Sequence, residues 1–324
     1  MDKEIILEVK NLTKYFPIKK SAFSKNKEFL RAVYDLSFSV CKGDTFAIVG
    51  ESGCGKTTTR KLLLKLLEAD KGEVIYKGQD IFKLDDNSMR KLRTKLQVVF
   101  QDPYASLDPK WRIGKIIGEP LAIHGVGTSN RRRKRVEELM ALVGLRPEYY
   151  DRYPHEFSGG QRQRIGIARA LALNPEIIIA DEPVSALDVS IQAQVLNMFK
   201  KLQQQLELTY IFISHDLSVV KHISDRVAVM YLGQIVEIAE TSLLFDNPLH
   251  PYTKALLSSI PVPDPSKKEE LKLLEGEVPS PVNPPPGCCF HTRCVMAGGI
   301  CKTEEPKLVE IEKGHQVRCH FTKD

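Results

Sequence analysis

Residues 50–57 read Gly50-Glu-Ser-Gly-Cys-Gly-Lys56-Thr57, which fits the pattern G-x-x-x-x-G-K-[ST]. An apolar run, Thr45–Val49, precedes this stretch, and a helix is predicted to follow it over Gly55–Leu67. In such a loop the backbone N–H groups wrap phosphate groups, and the helix N-terminus adds the positive end of its dipole. The strand–loop–helix context therefore predicts a nucleotide phosphate site on an α/β fold.

The residues of this loop have separate predicted tasks. Lys56 is expected to reach the β- and γ-phosphates, and the Thr57 hydroxyl is expected to ligate Mg²⁺. The other predicted members of the phosphate site are Gly50, Ser52, Gly53, Gly55 and Thr58.

Two acids follow a second apolar strand, Ile177–Asp181. Asp181 is placed to hold Mg²⁺, and Glu182 to polarise a water molecule for attack on a phosphate. An isolated Asp-Glu pair is often only a polar turn. Here the phosphate loop requires a metal-binding acid at a neighbouring strand end, which favours the functional interpretation.

A second candidate anion site lies between these motifs, in the stretch Phe157-Ser-Gly-Gly-Gln161. Ser-Gly-Gly at a helix start offers backbone donors and a hydroxyl. Two such helix starts about a hundred residues apart cannot obviously serve one γ-phosphate from the same chain. We therefore expect a head-to-tail dimer that sandwiches two nucleotides.

Composition sets outer limits on the class of protein. The chain has 324 residues, of which 42% are hydrophobic and 27% charged, and no stretch approaches the ~18–20 consecutive apolar residues of a membrane span. The charged start, Met1–Glu4, lacks the apolar run of a secretion signal, so a cytosolic chain is expected unless a partner carries it to a membrane. The net charge is +6, and the basic run 131–135 is interpreted as a solvated helix start rather than a binding patch, for which lipid headgroups are a better candidate than nucleic acid.

Strand-like and helical runs alternate as far as about residue 240, which predicts a largely parallel sheet. Strands are predicted at Ile5–Val9, Val33–Val40, Thr45–Val49, Gln97–Phe100, Ile177–Asp181, Tyr210–Ile213 and Arg226–Tyr231, and further helices at Arg131–Val143, Gly159–Leu173, Val189–Leu206 and Leu217–Ile223. Residues 102–156 are predicted to form a helical insertion. We expect a nucleotide-binding domain at 1–260, a Pro-rich linker at 261–287 and a small module at 288–324.

The module holds five of the seven cysteines. Four of them, Cys288, Cys294, Cys301 and Cys319, are spaced C-x5-C-x6-C-x17-C, without the tight knuckle of most zinc sites. Spacing alone leaves a four-iron cluster and zinc about equally supported, with unligated thiols as a third alternative. His291, His315 and His320 are fallback ligands, expected to be exposed. Because no motif ties the module to the phosphate loop, docking or redox sensing is expected rather than catalysis.

The order of these motifs resembles that of ABC-type nucleotide-binding subunits over roughly residues 5–260. The resemblance implies a RecA-like P-loop NTPase core, an antiparallel β-subdomain and hydrolysis of ATP. It also implies roles for further residues: adenine stacking by Phe16 (or Tyr15), γ-phosphate sensing and Mg²⁺ ligation by Gln101, signature contacts by Ser158, Gly160 and Gln161, a D-loop at 185–188, and a switch role for His215.

Three longer stretches, at 49–56, 101–109 and 247–257, are similar to the ATP-binding subunits of oligopeptide and dipeptide permeases, with the F-type subunit of the D/F pair closest. That family implies a sibling ATP-binding subunit, two transmembrane permease subunits and, indirectly, an extracellular peptide-binding protein, at the cytoplasmic face of the membrane and without nucleic acid. It also implies a [4Fe–4S] cluster on Cys288, Cys294, Cys301 and Cys319, with Zn²⁺ as the alternative and Cys289 as the extra thiol.

Three rival functions stay open from the sequence. Similar subunits serve importers of nickel or other small solutes. An ABC ATPase that acts on nucleic acid or ribosomes usually carries a long coiled-coil insertion or a second cassette, and neither is predicted here. A metal-sensing regulator in which ATP binding is secondary would hydrolyse little ATP even with all its partners.

Overall fold

The computed structural model describes residues 3–18, 28–259 and 276–322. Its strands are β1 (Ile5–Ile18), β2 (Glu28–Cys41), β3 (Thr45–Val49), β4 (Lys71–Tyr76), β5 (Gln79–Asp80), β6 (Leu96–Val99), β7 (Ile177–Asp181), β8 (Thr209–Ser214), β9 (Arg226–Tyr231), β10 (Gln234–Glu240), β11 (Val309–Glu312) and β12 (His315–Val317).

The α-helices of the described ranges are α1 (Lys56–Leu63), α2 (Asp86–Leu92), α3 (Ile113–Ile123), α4 (Ser129–Leu142), α5 (Gly159–Leu171), α6 (Val189–Leu206), α7 (Leu217–Ile223), α8 (Thr241–Asp246), α9 (Pro251–Ser258) and α10 (Gly299–Thr303). None of them is both long and apolar enough to cross a lipid bilayer.

The chain divides into two compact units. The first contains residues 1–41, 45–83 and 214–324, and the second contains residues 42–44 and 84–213. The phosphate loop and the C-terminal segment therefore belong to the first unit.

The first unit contains an antiparallel sheet in the order β2-β1-β4-β5. β1 and β2 pair along their whole length, from Ile5 opposite Cys41 to Ile18 opposite Glu28. The inward residues Leu7, Val9, Leu12, Val33 and Leu36 are almost fully buried. The antiparallel β-subdomain expected from the sequence is thus confirmed.

A second set of strands in the first unit runs in the order β11-β12-β10-β9-β3. β3 pairs parallel to β9, with Ala47 opposite Val227, whereas β9, β10, β12 and β11 pair antiparallel. All five residues of β3 are buried, as expected of a strand covered on both faces. The C-terminal segment therefore adds two strands to the sheet that carries the phosphate loop.

The second unit contains three parallel strands in the order β8-β7-β6. Residues 102–156 hold α3, α4 and short 3-10 turns and no strand. α3 packs on α4 and α5 through buried residues such as Ile116, Ile117 and Val136.

Several predicted boundaries are confirmed and others needed correction. β3, β7, β9, α6 and α7 begin and end at the predicted residues. β1 and β2 extend well beyond their predicted ends, and β4, β5 and β10 to β12 were not predicted. α1 stops at Leu63 instead of Leu67, since Lys65 adopts the left-handed conformation at φ 47°. Residues 261–275 of the predicted linker lie outside the described residues.

Candidate functional site

The phosphate loop joins β3 to α1 and is closed by glycines that no other residue could replace. Gly55, the N-cap of α1, has φ 108°, and a Cβ there would overlap the carbonyl oxygen of Ala32. A Cβ at Gly50 would likewise overlap the carbonyl oxygen of Met230. The loop backbone is therefore in close contact with neighbouring backbone at both ends, as a cradle for phosphates requires.

Lys56 is folded onto its own loop. Its side chain is buried, and its ammonium group donates hydrogen bonds to the carbonyl oxygens of Gly50, at 2.7 Å, and Glu51, at 3.0 Å. Ser52, Gly53 and Thr57 are exposed on the outside of the loop. The structure therefore places a cation inside the loop and two hydroxyls on its open side.

Asp181 and Glu182 lie at the carboxyl end of β7, in the second unit. Asp181 is 5% exposed, and Glu182 has a left-handed backbone at φ 46°. The N–H of Glu182 donates to the carbonyl oxygen of Ile213 at 2.8 Å, which holds this strained residue in place. A non-glycine residue in this conformation is costly and is often found at functional sites.

Gln101, which follows β6, lies next to Glu182. Its amide nitrogen donates to the Glu182 carboxylate at 2.8 Å, which keeps the amide oxygen for another partner. Within the second unit, Asp181 and Gln101 both offer oxygen atoms, the ligands that Mg²⁺ prefers, and in the first unit Thr57 offers a hydroxyl oxygen. The chemistry of each residue therefore suits the expected cation.

Ser158 caps the N-terminus of α5. Its hydroxyl accepts from the Gln161 N–H at 3.4 Å, and the Gln161 side chain accepts from the Ser158 N–H at 3.0 Å, which forms a capping box. A Cβ at Gly160 would meet the side chain of Ile191, so Gly160 is needed for packing as well.

The two remaining predicted nucleotide contacts lie in the first unit. His215 directly follows β8 and is exposed. Phe16 is half-buried on β1, with the Lys14 ammonium 5.8 Å from its ring centroid. Tyr15, the alternative, packs edge-on against Tyr34, which leaves Phe16 as the better candidate for stacking.

The cysteine-bearing segment folds back on itself. The N–H of Cys288 donates to the carbonyl oxygen of Cys301 at 2.8 Å. A Cβ at Gly298 would touch the ring of Phe321, so the stretch before Cys301 also lies against the stretch after Cys319. The backbone thus brings three distant parts of the segment together.

Burial raises the pKa of the Cys288 thiol to about 11, and it also raises the pKa values of Cys294 and Cys319. Neighbouring thiols raise these pKa values further. The backbone N–H groups of Phe290, Met296 and Phe321 partly oppose these shifts of the pKa values of Cys288, Cys294 and Cys319. Cys289 is 4% exposed, and burial raises its pKa to about 12.

The predicted metal centre itself is not established. Across residues 3–18, 28–259 and 276–322, no three histidine, cysteine, aspartate or glutamate side chains are arranged to hold a metal ion. His315 is not an exposed fallback ligand as expected, because it is fully buried and its Nε2 bonds the Glu237 carboxylate at 2.7 Å.

The expectation that nothing ties the C-terminal module to the phosphate loop is wrong. Both terminal nitrogens of Arg293 donate to the Glu51 carboxylate, at 3.0 and 3.3 Å. Tyr252 also reaches the loop, since its hydroxyl accepts from the Glu51 N–H at 3.1 Å. Sequence patterns missed all three residues, because Glu51 occupies an unrestricted position of the motif and its partners are some 200 residues away.

Comparisons with known proteins identify the family of the chain. Residues 33–185 match the ABC transporter family, and residues 236–301 match the family described as oligopeptide/dipeptide transporter, C-terminal region. The chain is 56% identical to the oligopeptide transport ATP-binding protein AppF of Bacillus subtilis, over 99% of this chain and 98% of that protein. It is 50% identical to the dipeptide transport ATP-binding protein DppF of Escherichia coli, over 97% and 93%.

Among solved structures, the dimeric post-hydrolysis state of an ATP-binding cassette bound to ADP and phosphate is similar, with a TM-score of 0.64 and 30% identity. The similarity covers 72% of this chain and 98% of that one. The fold is therefore that of an ATP-binding cassette, and the reaction is ATP hydrolysis. The chain belongs to the ABC transporter family, in the group of ATP-binding proteins that carry the oligopeptide/dipeptide transporter C-terminal region.

Proposed function

We propose that this chain is the ATP-binding and ATP-hydrolysing subunit of an ABC importer of short peptides. The observation that carries the proposal is the similarity to peptide-transport ATP-binding proteins along almost the whole chain, including the C-terminal region. A nucleotide site alone would support any ABC ATPase. The C-terminal region is what favours peptides.

Within the phosphate loop, we assign the β- and γ-phosphates to Lys56 and the backbone of Gly50, Gly53 and Gly55. Lys56 already occupies the inside of the loop, held by two of its carbonyl groups. Other loop contacts are assigned to Ser52 and Thr58, and adenine stacking to Phe16.

The hydrolytic residues are assigned to the strand ends. Thr57, Asp181 and Gln101 would hold Mg²⁺, which neutralises negative charge on the phosphates. Glu182 would accept a proton from the attacking water, and its hydrogen bond with Gln101 orients the carboxylate for that task. His215 is assigned to the γ-phosphate.

Ser158, Gly160 and Gln161 are assigned to the nucleotide of a second ATP-binding subunit. The support is chemical, since a capped helix start presents N–H donors to an anion. The composite arrangement makes a sibling subunit necessary for full activity. Two transmembrane permease subunits would carry the peptide and hold this chain at the cytoplasmic face of the membrane, and an extracellular binding protein would deliver it.

The substrate assignment is tested by transport. The chain, its sibling and the two permease subunits are reconstituted in vesicles with the cognate binding protein and supplied with ATP. Uptake of labelled di- to pentapeptides that stops with Lys56→Ala is the expected result. Uptake of Ni²⁺ without any peptide uptake would overturn the peptide assignment, and ATP hydrolysis without uptake of either would favour a non-transport ATPase.

We also propose that Cys288, Cys294, Cys301 and Cys319 bind a [4Fe–4S] cluster, with Zn²⁺ as the alternative. The support is the backbone contact between Cys288 and Cys301 and the contact of Gly298 with Phe321, which bring the stretches that carry the thiols together. The thiols must close in when metal binds, because the described side chains form no ready metal site. Such coupling of metal binding to local folding is common in small modules.

Metal analysis of anaerobically purified protein tests this second proposal. About four iron and four sulfide per chain are expected for this cluster type. Cys301→Ser should release the iron, whereas Cys289→Ser should retain it. Stoichiometric zinc without sulfide would decide for the tetrahedral alternative, and neither metal would refute the site.

A further inference from the structure

Glu51, the second residue of the phosphate loop, is paired with the C-terminal segment. The Arg293 guanidinium donates two hydrogen bonds to the Glu51 carboxylate, at 3.0 and 3.3 Å. The Arg293 side chain is 6% exposed and that of Glu51 28%. A bidentate pair that is largely withdrawn from water is much stronger than an ordinary surface ion pair.

The backbone of Glu51 is engaged as well. Its N–H donates to the Tyr252 hydroxyl at 3.1 Å, and its carbonyl oxygen accepts from the Lys56 ammonium at 3.0 Å. Movement of Glu51 would therefore displace a group that holds the phosphate-binding lysine.

Aromatic packing fixes the segment that carries Arg293. Phe290 is 1% exposed and lies 5.2 Å from Tyr231 and 5.4 Å from Tyr252 between ring centroids. Tyr231 and Tyr252 are 4.7 Å apart. Such aromatic contacts add to the stabilisation from burial. They therefore fix the position of the backbone that carries Arg293 relative to the loop.

The charge of Glu51 needs explanation, because this loop binds a polyanion. An unpaired carboxylate one residue beyond Gly50 would repel the phosphates, and repulsion is strong where water is partly excluded. Arg293 neutralises that carboxylate.

We propose that Arg293 is a positioning residue for nucleotide binding, by which the C-terminal segment holds Glu51 and cancels its charge beside the phosphates. The proposal rests on the assignment of ATP to the phosphate loop. It makes the C-terminal segment a working part of the nucleotide site.

If Arg293 cancels the charge of Glu51, removing Arg293 should weaken Mg-ATP binding more than removing the Glu51 charge. Arg293→Gln leaves Glu51 charged and unpaired, so the Kd for Mg-ATP should rise about 10-fold, within the range of coupling between contacting charged groups. Glu51→Gln removes the charge itself and should raise the Kd by no more than about 3-fold. The double variant should resemble Glu51→Gln, and Arg293→Lys should be intermediate, since lysine keeps the charge but not the bidentate geometry.

The experiment measures Mg-ATP binding and thermal unfolding of the full-length chain, with metal content determined for every variant. Arg318→Gln is the matched control, because Arg318 is the other buried arginine of this segment and pairs with Asp35 and Glu305 instead of the loop. It should lower the melting temperature and leave the Kd unchanged at equal metal content.

Two results would overturn the proposal. One is an unchanged Kd in Arg293→Gln with only a lower melting temperature, which would mean a purely structural role. The other is additive effects of the two single substitutions. Failure of the underlying assignment gives a different result, since wild-type ATP binding would then be insensitive to Lys56→Ala.

Discussion

The phosphate loop and the C-terminal segment belong to the same compact unit, yet different interactions hold them. The loop is held by close neighbours in sequence, as in the bonds from Lys56 to the carbonyls of Gly50 and Glu51, and at Glu51 also by Arg293 and Tyr252. The C-terminal segment is held by side chains far away along the chain. Arg318 donates to the Asp35 carboxylate at 3.0 Å, and the imidazole of His315 bonds Glu237 at 2.7 Å.

This difference predicts that substitutions in the two regions have different consequences. A loop held by local backbone geometry can lose a ligand-binding side chain without losing its shape. A segment held by a few buried polar pairs loses stability when one partner is removed, because the other is left buried and unsatisfied. Apart from Arg293, which contacts the loop, substitutions at the nucleotide site should therefore alter binding or turnover, and those at the anchors Arg318, His315 and Glu237 should alter the free energy of unfolding.

The largest effect is expected at Glu182, which holds neither the phosphate loop nor the C-terminal segment in place. Glu182→Gln removes the proposed proton acceptor and should lower turnover by roughly 10²–10⁴-fold, the usual range for a general acid or base. Binding of Mg-ATP should persist, because Lys56, Thr57 and Asp181 remain. Steady-state hydrolysis and nucleotide affinity, measured on the same assembled transporter, check both parts. Near-normal turnover would remove Glu182 from the catalytic role.

A smaller effect, on stability alone, is expected at Glu237. This carboxylate is fully buried and accepts hydrogen bonds from the N–H groups of Leu249 and His250, while His315 bonds it from β12. Glu237→Gln should lower the free energy of unfolding by ~2–3 kcal/mol, the scale of a hydrogen bond to a charged group.

Denaturant unfolding measures this loss, and Glu240→Gln, at the exposed end of the same strand, is the matched control with little expected change. An unchanged stability in Glu237→Gln would show that the segment is not anchored through this group.

The third effect concerns the dependence of stability on pH. Burial lowers the pKa of His250 to about 4 from its ordinary 6.5, although Glu237 partly opposes the shift. Between these two values the unfolded chain binds a proton that the folded chain does not. Stability from this group is therefore complete above pH 6.5 and falls as the pH drops towards 4, by up to ~1.4 kcal/mol per pH unit.

His250→Asn tests this dependence, because asparagine can still accept the hydrogen bond that the His250 ring accepts from the Tyr252 N–H. Stability of the variant should fall less steeply over this pH window than that of the wild type. Parallel curves would show that His250 is not buried in its neutral form.

What could be predicted from sequence follows the same division. The phosphate loop and the buried strands β3, β7 and β9 have strong local signals, and their residues were placed correctly. The strands β11 and β12 are only four and three residues long, and their pairing with β10 depends on contacts that no local pattern contains. Arg293, Glu51 and Tyr252 were missed for that reason, and burial of His315 was missed because its partner lies 78 residues away.

The most direct test of the account compares ATP hydrolysis by this chain alone with hydrolysis after its partners are added. If Ser158 and Gln161 complete the site of a second subunit, the dilute isolated chain should hydrolyse ATP slowly. The rate should rise when the sibling subunit, the permease subunits and peptide-loaded binding protein are present. Full-rate hydrolysis by the dilute chain alone, independent of concentration and of peptide, would contradict the account.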